Sequence, residues 1–270
     1  MTRRVMFNCD YVSEISQGSV FNAAYCEGYE SSEVLGLVIT ARCDIANKNK
    51  VKTYSYIPAI PFNHWKEVEL IDVLKTKSLR DLRSKVSCIL NKAQLTFNNL
   101  ETFGKENILK VIRENKLLKK DRDIEKLKSY LDSYYLLIYG GEFRELIICF
   151  KSEIKSVIKE ISEGKNANYF MIDNIDGYGS VVVNLRDIYK LDRETAEKVV
   201  GGIEIDYTLD NSSYRAINKN ITGTVVCLIG ALESPYIELL MQRFTNNFSR
   251  IGVENPSKDL SDSIIEECMQ

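Results

Sequence analysis

Between Gly18 and Phe62 the chain passes three times from a polar turn into a short apolar run, and this alternation constrains the fold more than any other feature. The runs Ser19–Tyr25, Leu35–Ala41 and Thr53–Ala59 put Val20, Leu37, Ile39, Tyr54 and Tyr56 at alternating or β-branched positions. Gly- and Asn-bearing turns separate them. Three short antiparallel strands at this spacing predict the opening of a small barrel.

After Trp65 the period changes. From Val68 to about Lys165 the chain is rich in Leu, Lys and Glu and contains no proline. Leu70, Val73, Leu74, Leu79, Leu82, Val86, Ile89 and Leu90 recur at helical spacing, followed by Leu95, Phe97 and Leu100. Further helices are predicted over Glu106–Leu118, Arg122–Tyr139 and Glu142–Ser162, with breaks at Gly104, Gly140–Gly141 and Gly164. The β pattern then returns. Asn168–Ile172 and Ser180–Asn184 read as a hairpin turning at Asp176-Gly177. A helix over Arg193–Val200 starts behind Asp192 and stops at Gly201-Gly202, and strands are expected at Ile203–Tyr207 and Thr222–Leu232. In a last helix Ser234 is the expected N-cap and Pro235 the first helical residue. Leu239, Leu240, Phe244, Phe248 and Ile251 form its apolar face, and Gly252 ends it. The predicted class is α+β, a small SH3-like barrel with a helical insertion and a C-terminal helix. Residues 1–66 supply the first half of the barrel and 67–165 the insertion or a separate bundle. Residues 166–253 supply the second half with the last helix, and 254–270 an acidic, mobile or partner-bound tail.

Composition narrows the function. A chain of 270 residues with 44% apolar content can build a substantial core, and a net charge of −2 supplies no overall basic field for nucleic acid. The N-terminus lacks the apolar run of a signal peptide, and the most apolar segment, Thr224–Leu232, is far short of the ~20 residues a membrane span needs. A soluble, cytoplasmic protein is expected. The seven cysteines include no C-x-x-C pair, which reads as free thiols. Cys9, Cys26, Cys43 and His64 could be combined as four zinc ligands but lack the paired knuckle of such sites. A Cys43–His64 nucleophile lacks an oxyanion hole and an orienting group. Neither a metal nor a cofactor is expected.

The segment 18–62 resembles the MazF/PemK family of bacterial toxin endoribonucleases. That family has a Gly-Asp opening into the first strand, an Arg-Pro-x-Val-Val-x-Ser strand and a Val-Pro step in the third. Here Gly18-Ser19, Val34–Thr40 and Ile57-Pro58 stand in those places. The resemblance implies a MazF-like barrel without the ribonuclease site. The family's catalytic arginine falls at Val34 and its catalytic threonine at Ile60, and neither side chain can stabilise a phosphate or move a proton. Arg42 and Asp44, just past the second strand, could rebuild a polar site. In the alternative reading Asp44 bonds the turn backbone and Arg42 faces solvent.

A hydrophobic strand followed directly by Cys43-Asp44 and the C-terminal run SPYIELLMQRFTNNFSRIG also resemble a group of uncharacterised bacterial proteins with no established activity. Two further cation sets are candidates for RNA or partner binding. Lys116, Lys119, Lys120 and Arg122 belong to the strongest basic run, which Glu114, Asp121, Asp123 and Glu125 interleave in the manner of a solvated face. Arg243 and Arg250 lie two turns apart on the last helix.

MazF-like proteins occur in toxin–antitoxin and antiphage loci, sometimes as inactive partners. The resemblance therefore implies a non-catalytic interaction or regulatory component of such a system, holding another protein of the same operon. The alternative is an endoribonuclease toxin with a site relocated to Arg42 and Asp44. The expectation favours a protein that is not an enzyme, with RNA the less favoured partner and no membrane contact.

Overall fold

The computed structural model describes residues 5–10, 13–47, 51–204, 214–221 and 223–248. Its first strands are β1 (Phe7–Asn8), β2 (Ser19–Phe21) and β3 (Leu35–Val38), followed by a short helix α1 (Arg42–Ala46) and the long strand β4 (Thr53–Pro61). Six helices follow without interruption by a strand: α2 (Phe62–Val68), α3 (Leu70–Lys92), α4 (Phe97–Glu114), α5 (Asp121–Tyr139), α6 (Phe143–Cys149) and α7 (Lys151–Ser162). The chain then returns to the sheet through β5 (Tyr169–Ile175), β6 (Gly179–Asn184) and β7 (Tyr189–Asp192). Next come α8 (Arg193–Gly201), β8 (Ile203–Glu204), β9 (Val225–Val226), β10 (Leu228–Leu232) and α9 (Tyr236–Phe248).

The main sheet runs β1-β10-β2-β3-β4-β6-β5, all pairs antiparallel, with β7 also paired to β4. β4 serves two neighbours along one edge, β7 through Thr53–Tyr56 and β6 through Ala59–Pro61. β1 approaches β5, so the sheet curls into a nearly closed antiparallel barrel. The architecture is therefore α+β: a barrel, a multi-helix insertion between β4 and β5, and a C-terminal helix.

The two-residue period of the strands sorts side chains between cores. Ile57, Ala59, Val181 and Val183 point into the barrel with Val20, Leu35 and Leu37, where α9 adds Ile237 and Leu240. Tyr54 and Tyr56 face the other way and meet Phe21, Val38 and the α8 residues Ala196 and Val199. Ile60 and Val182 share that outward parity, but there the insertion covers them with Trp65, Leu70, Leu74, Leu146, Phe150 and Ile161. A further cluster of Val86, Leu90, Leu100, Ile112, Leu127 and Leu131 holds the distal part of the helices together.

Several elements differ from expectation, each for a local reason. The helical region begins earlier than Val68, at Phe62 in α2, with Pro61 preceding the helix. The helix expected from Glu106 begins at Phe97, as α4, because Thr96 caps it: the Thr96 hydroxyl accepts from Asn99 N at 3.3 Å and Asn99 Oδ1 accepts from Thr96 N at 2.8 Å. Gly104, expected to end a helix, instead bends α4 through a non-helical φ of 78° and ψ of 164°. The single helix expected over Glu142–Ser162 is two, α6 and α7, broken at Phe150, whose buried ring is fixed by the core. The expected strand to Leu232 divides at Cys227, whose N–H is taken by Asn22 Oδ1 at 2.7 Å instead of a ladder partner. The last helix begins at Tyr236, whose N–H donates to Glu233 O, rather than at Pro235 behind a Ser234 cap. The remainder of the Ile203–Tyr207 strand, Ile251, Gly252 and the 254–270 tail lie outside the described residues.

Candidate interaction surface and the covered barrel face

The positions onto which the toxin resemblance maps catalysis are inside the protein. Val34 and Ile60 are both 0% exposed and belong to one apolar cluster with Trp65, Leu70 and Leu74 of the insertion. The helices thus sit on the barrel face where those two positions lie.

The polar groups at this junction are Tyr29, Glu69 and Tyr169. The Tyr29 hydroxyl donates to Glu69 Oε1 at 3.1 Å and Tyr169 donates to Oε2, so one carboxylate at the α2–α3 turn takes two phenols from the barrel. Burial and the adjacent carboxylate raise both phenols well above the ordinary tyrosine range, which keeps them protonated as donors. Nearby, burial pushes the Cys26 thiol up to about 12. A thiol held protonated is a poor nucleophile. Tyr56 donates to Tyr25 O at 2.9 Å and stacks on Tyr189 at 5.5 Å between ring centroids. These bonds fasten the insertion and its neighbouring loop to the barrel. Sequence reasoning passed over them, although the run Tyr25-Cys26-Glu27-Gly28-Tyr29-Glu30 is unusually dense in hydrogen-bonding side chains.

Among the described residues the candidate cations do not converge. Arg42 and Asp44 lie on α1, a helix with no buried residue. Arg42 pairs across the surface with Glu238 of α9 at 3.9 Å, both side chains more than half exposed. Such a pair contributes little. Lys116, Lys119, Lys120 and Arg122 are all exposed around the α4–α5 connection, where Lys116 and Lys119 border a hollow of about 650 Å³ with Ile112, Ile124 and Glu125. Arg113 and Glu125 pair there at 3.8 Å, so acidic groups share the surface with the basic ones. Arg243 is elsewhere, over the Phe170 ring of the barrel. Arg250 lies outside the described residues. Cys9 and Cys43 are exposed while Cys26 is buried, and among the described residues no group of His, Cys, Asp and Glu could hold a metal ion. No described helix is long and apolar enough to cross a membrane.

A second concave surface on the insertion lies between α4 and α5. The bend at Gly104 opens a groove of about 610 Å³ bordered by Phe103, Lys105, Tyr134, Tyr135, Ile138 and Tyr139. Phe103 is 57% exposed and Tyr139 79%. Tyr135 and Tyr139, one helical turn apart, stack with centroids 5.6 Å apart and planes 6° from parallel. Lys105 pairs with Asp132 at the groove, and Ile147 and Ile148 of the next helix are also exposed. Large aromatic side chains left exposed together are the usual makings of a protein contact.

No family model matches the chain, and neither a curated protein nor a solved structure is significantly similar to it.

Proposed function

We propose that this chain is a non-catalytic protein-interaction and regulatory component of a bacterial antiphage-defence or toxin–antitoxin-like system, built on a degenerate MazF-like barrel, and that it holds another protein of its operon. The observation that carries the interaction half is the aromatic groove at the Gly104 bend. Its stacked tyrosines are rigid, amphipathic contact surface, suited to an apolar-faced helix of a partner. The non-catalytic half is supported by the burial of Val34 and Ile60 under the insertion and by the neutral state of Cys26. The defence setting rests on the family resemblance.

The test is co-expression of the chain with the products of its neighbouring genes, followed by purification through the chain and measurement of stoichiometry. A defined complex, lost in a Phe103→Ser/Tyr139→Ser variant of unchanged thermal stability, is the expected result. A chain that remains alone, or a complex indifferent to those substitutions, removes the groove from the account. Growth arrest with new RNA ends on induction, abolished by Arg42→Ala, would instead favour an endoribonuclease using Arg42 and Asp44.

A further inference from the structure

Arg243 is placed with unusual care for an arginine that pairs with no carboxylate among the described residues. Its guanidinium stands 5.2 Å from the Phe170 ring centroid and occupies the space beside Gly164, where an added Cβ would fall 1.4 Å from Nη2. Gly164 adopts a positive φ of 71° as the chain leaves α7. Asn247, one turn further along α9, fixes the same region by donating to Ala167 O at 2.7 Å. Among the described residues no carboxylate forms an ion pair with Arg243, and burial alone lowers its pKa. An arginine stays charged in such a position, so a half-buried guanidinium with no counter-ion among the described residues invites an anion.

The guanidinium borders a cleft of about 430 Å³ between α7, β5 and α9. Phe62, Ile161, Phe170, Met171, Tyr236 and Leu239 line it, and Ser162, Asp173 and Ser180 add polar side chains. This volume lies in the range of roughly 300–1,000 Å³ typical of small-molecule sites, and an apolar cavity with few polar groups is their usual make-up. One cation favours one negative charge. A phosphate monoester would bring two charges to that single cation.

We propose that this cleft binds a monoanionic amphipathic carboxylate, its carboxylate paired with the Arg243 guanidinium and its apolar body lying along Phe62, Met171 and Leu239. Arginine meets a carboxylate with two parallel N–H···O bonds, and the Phe170 ring and Gly164 backbone fix the plane of that fork. The site is independent of the α4–α5 groove and of any partner bound there.

Octanoate is the probe, with octanol and octyl phosphate as comparisons, titrated into the full chain by calorimetry or ligand-observed NMR. Saturable binding of octanoate is expected, with Kd on the order of 0.1–1 mM for a ligand of that size. Octanol should bind about tenfold more weakly or worse, and Arg243→Gln should weaken octanoate by a similar factor, the worth of a charge-assisted pair. Absence of saturable octanoate binding up to about 10 mM overturns the site. Equal affinity for octanol, or no change in Arg243→Gln, overturns the role of Arg243. Tighter binding of octyl phosphate overturns the assignment to a monoanion. Should Arg243→Gln fail to fold, Leu239→Glu on the exposed wall takes its place: octanoate binding must then be lost, and its retention refutes the cleft.

Discussion

Phe21 of β2 and Gly36 of β3 are directly opposite in the antiparallel register, and the Phe21 ring lies where a side chain at Gly36 would be. A Cβ at Gly36 would come 2.3 Å from both Cε1 and Cζ of that ring. The ring cannot swing away, because it is fully buried and packs edge-on against Tyr56 at 5.2 Å. Gly36→Ala is therefore expected to lower stability by about 1–3 kcal/mol, the usual cost of overpacking. Gly201→Ala, at the end of α8 with open space around it, should be neutral or stabilise by up to about 1 kcal/mol. Urea denaturation of both variants checks this. Equal stability of Gly36→Ala and wild type would refute the packing.

Asp192 joins the last strand paired with β4 to the helix α8. Its Oδ1 accepts from Thr195 N at 2.8 Å and its Oδ2 from the Thr195 hydroxyl at 2.6 Å. Asp192→Ala should cost about 1 kcal/mol, whereas Asp192→Asn or Asp192→Ser should recover most of it, since either still caps the helix. Thermal unfolding of the three variants decides the matter, and an Ala variant as stable as the Asn variant would mean the cap contributes nothing.

The capping aspartate was legible in the sequence, as were the barrel's opening strands, the β5–β6 hairpin and the helical character of the insertion. Each has a local cause, either alternation around Val20 and Tyr56 or helical spacing from Leu70 to Leu90. What sequence did not disclose were arrangements that only tertiary contact creates. The split at Phe150 comes from a ring buried against distant residues, and the division at Cys227 from Asn22, far away along the chain. The candidate surfaces divide in the same way. Arg243 could be named from helical spacing on α9, but its seat depends on Gly164 and Phe170 from other elements. The aromatic groove needed the Gly104 bend, which sequence marked only as a break. The mixed-charge run around Lys116 looked like a solvated face and lies on the surface.

The buried phenols and thiol set the alkaline limit of the fold. Burial holds the Cys26 thiol at about 12 against an ordinary 9.0, and the phenols of Tyr29, Tyr56, Tyr169 and Tyr178 are raised likewise. A raised folded-state pKa means that the native protein keeps protons the unfolded chain has released. The stabilisation is then complete below the unfolded pKa values and is lost as pH climbs through the native ones. Stability should therefore fall from about pH 9 upward, by about 1.4 kcal/mol per pH unit for each retained proton. Urea midpoints between pH 7 and pH 11 test this, and a flat profile would rule it out. At pH 8, peptide mapping after brief alkylation should find the exposed Cys9, Cys43, Cys88 and Cys149 modified while the buried Cys26 is not.

Placing at Val34 and Ile60 the arginine and threonine of the family that segment 18–62 resembles tests how firmly the insertion covers this barrel face. Val34→Arg places a guanidinium at a position with no exposure, among the apolar side chains of Ile60, Trp65 and Leu70, where the Glu69 carboxylate of the same junction is already taken by Tyr29 and Tyr169. An unpaired buried charge typically costs about 3–5 kcal/mol. Ile60→Thr exchanges apolar volume for a hydroxyl in the same cluster and should cost about 1–3 kcal/mol. The double variant is expected to be unfolded or strongly destabilised, and inert toward RNA in either state. Circular dichroism and sequencing of RNA ends after induction give the two readouts together. If the double variant folds with native stability and cuts RNA, then the helices must open from the barrel and the non-catalytic reading fails. If it unfolds, the packing of Trp65 and Leu70 onto Val34 and Ile60 is incompatible with an arginine and a threonine at those two positions.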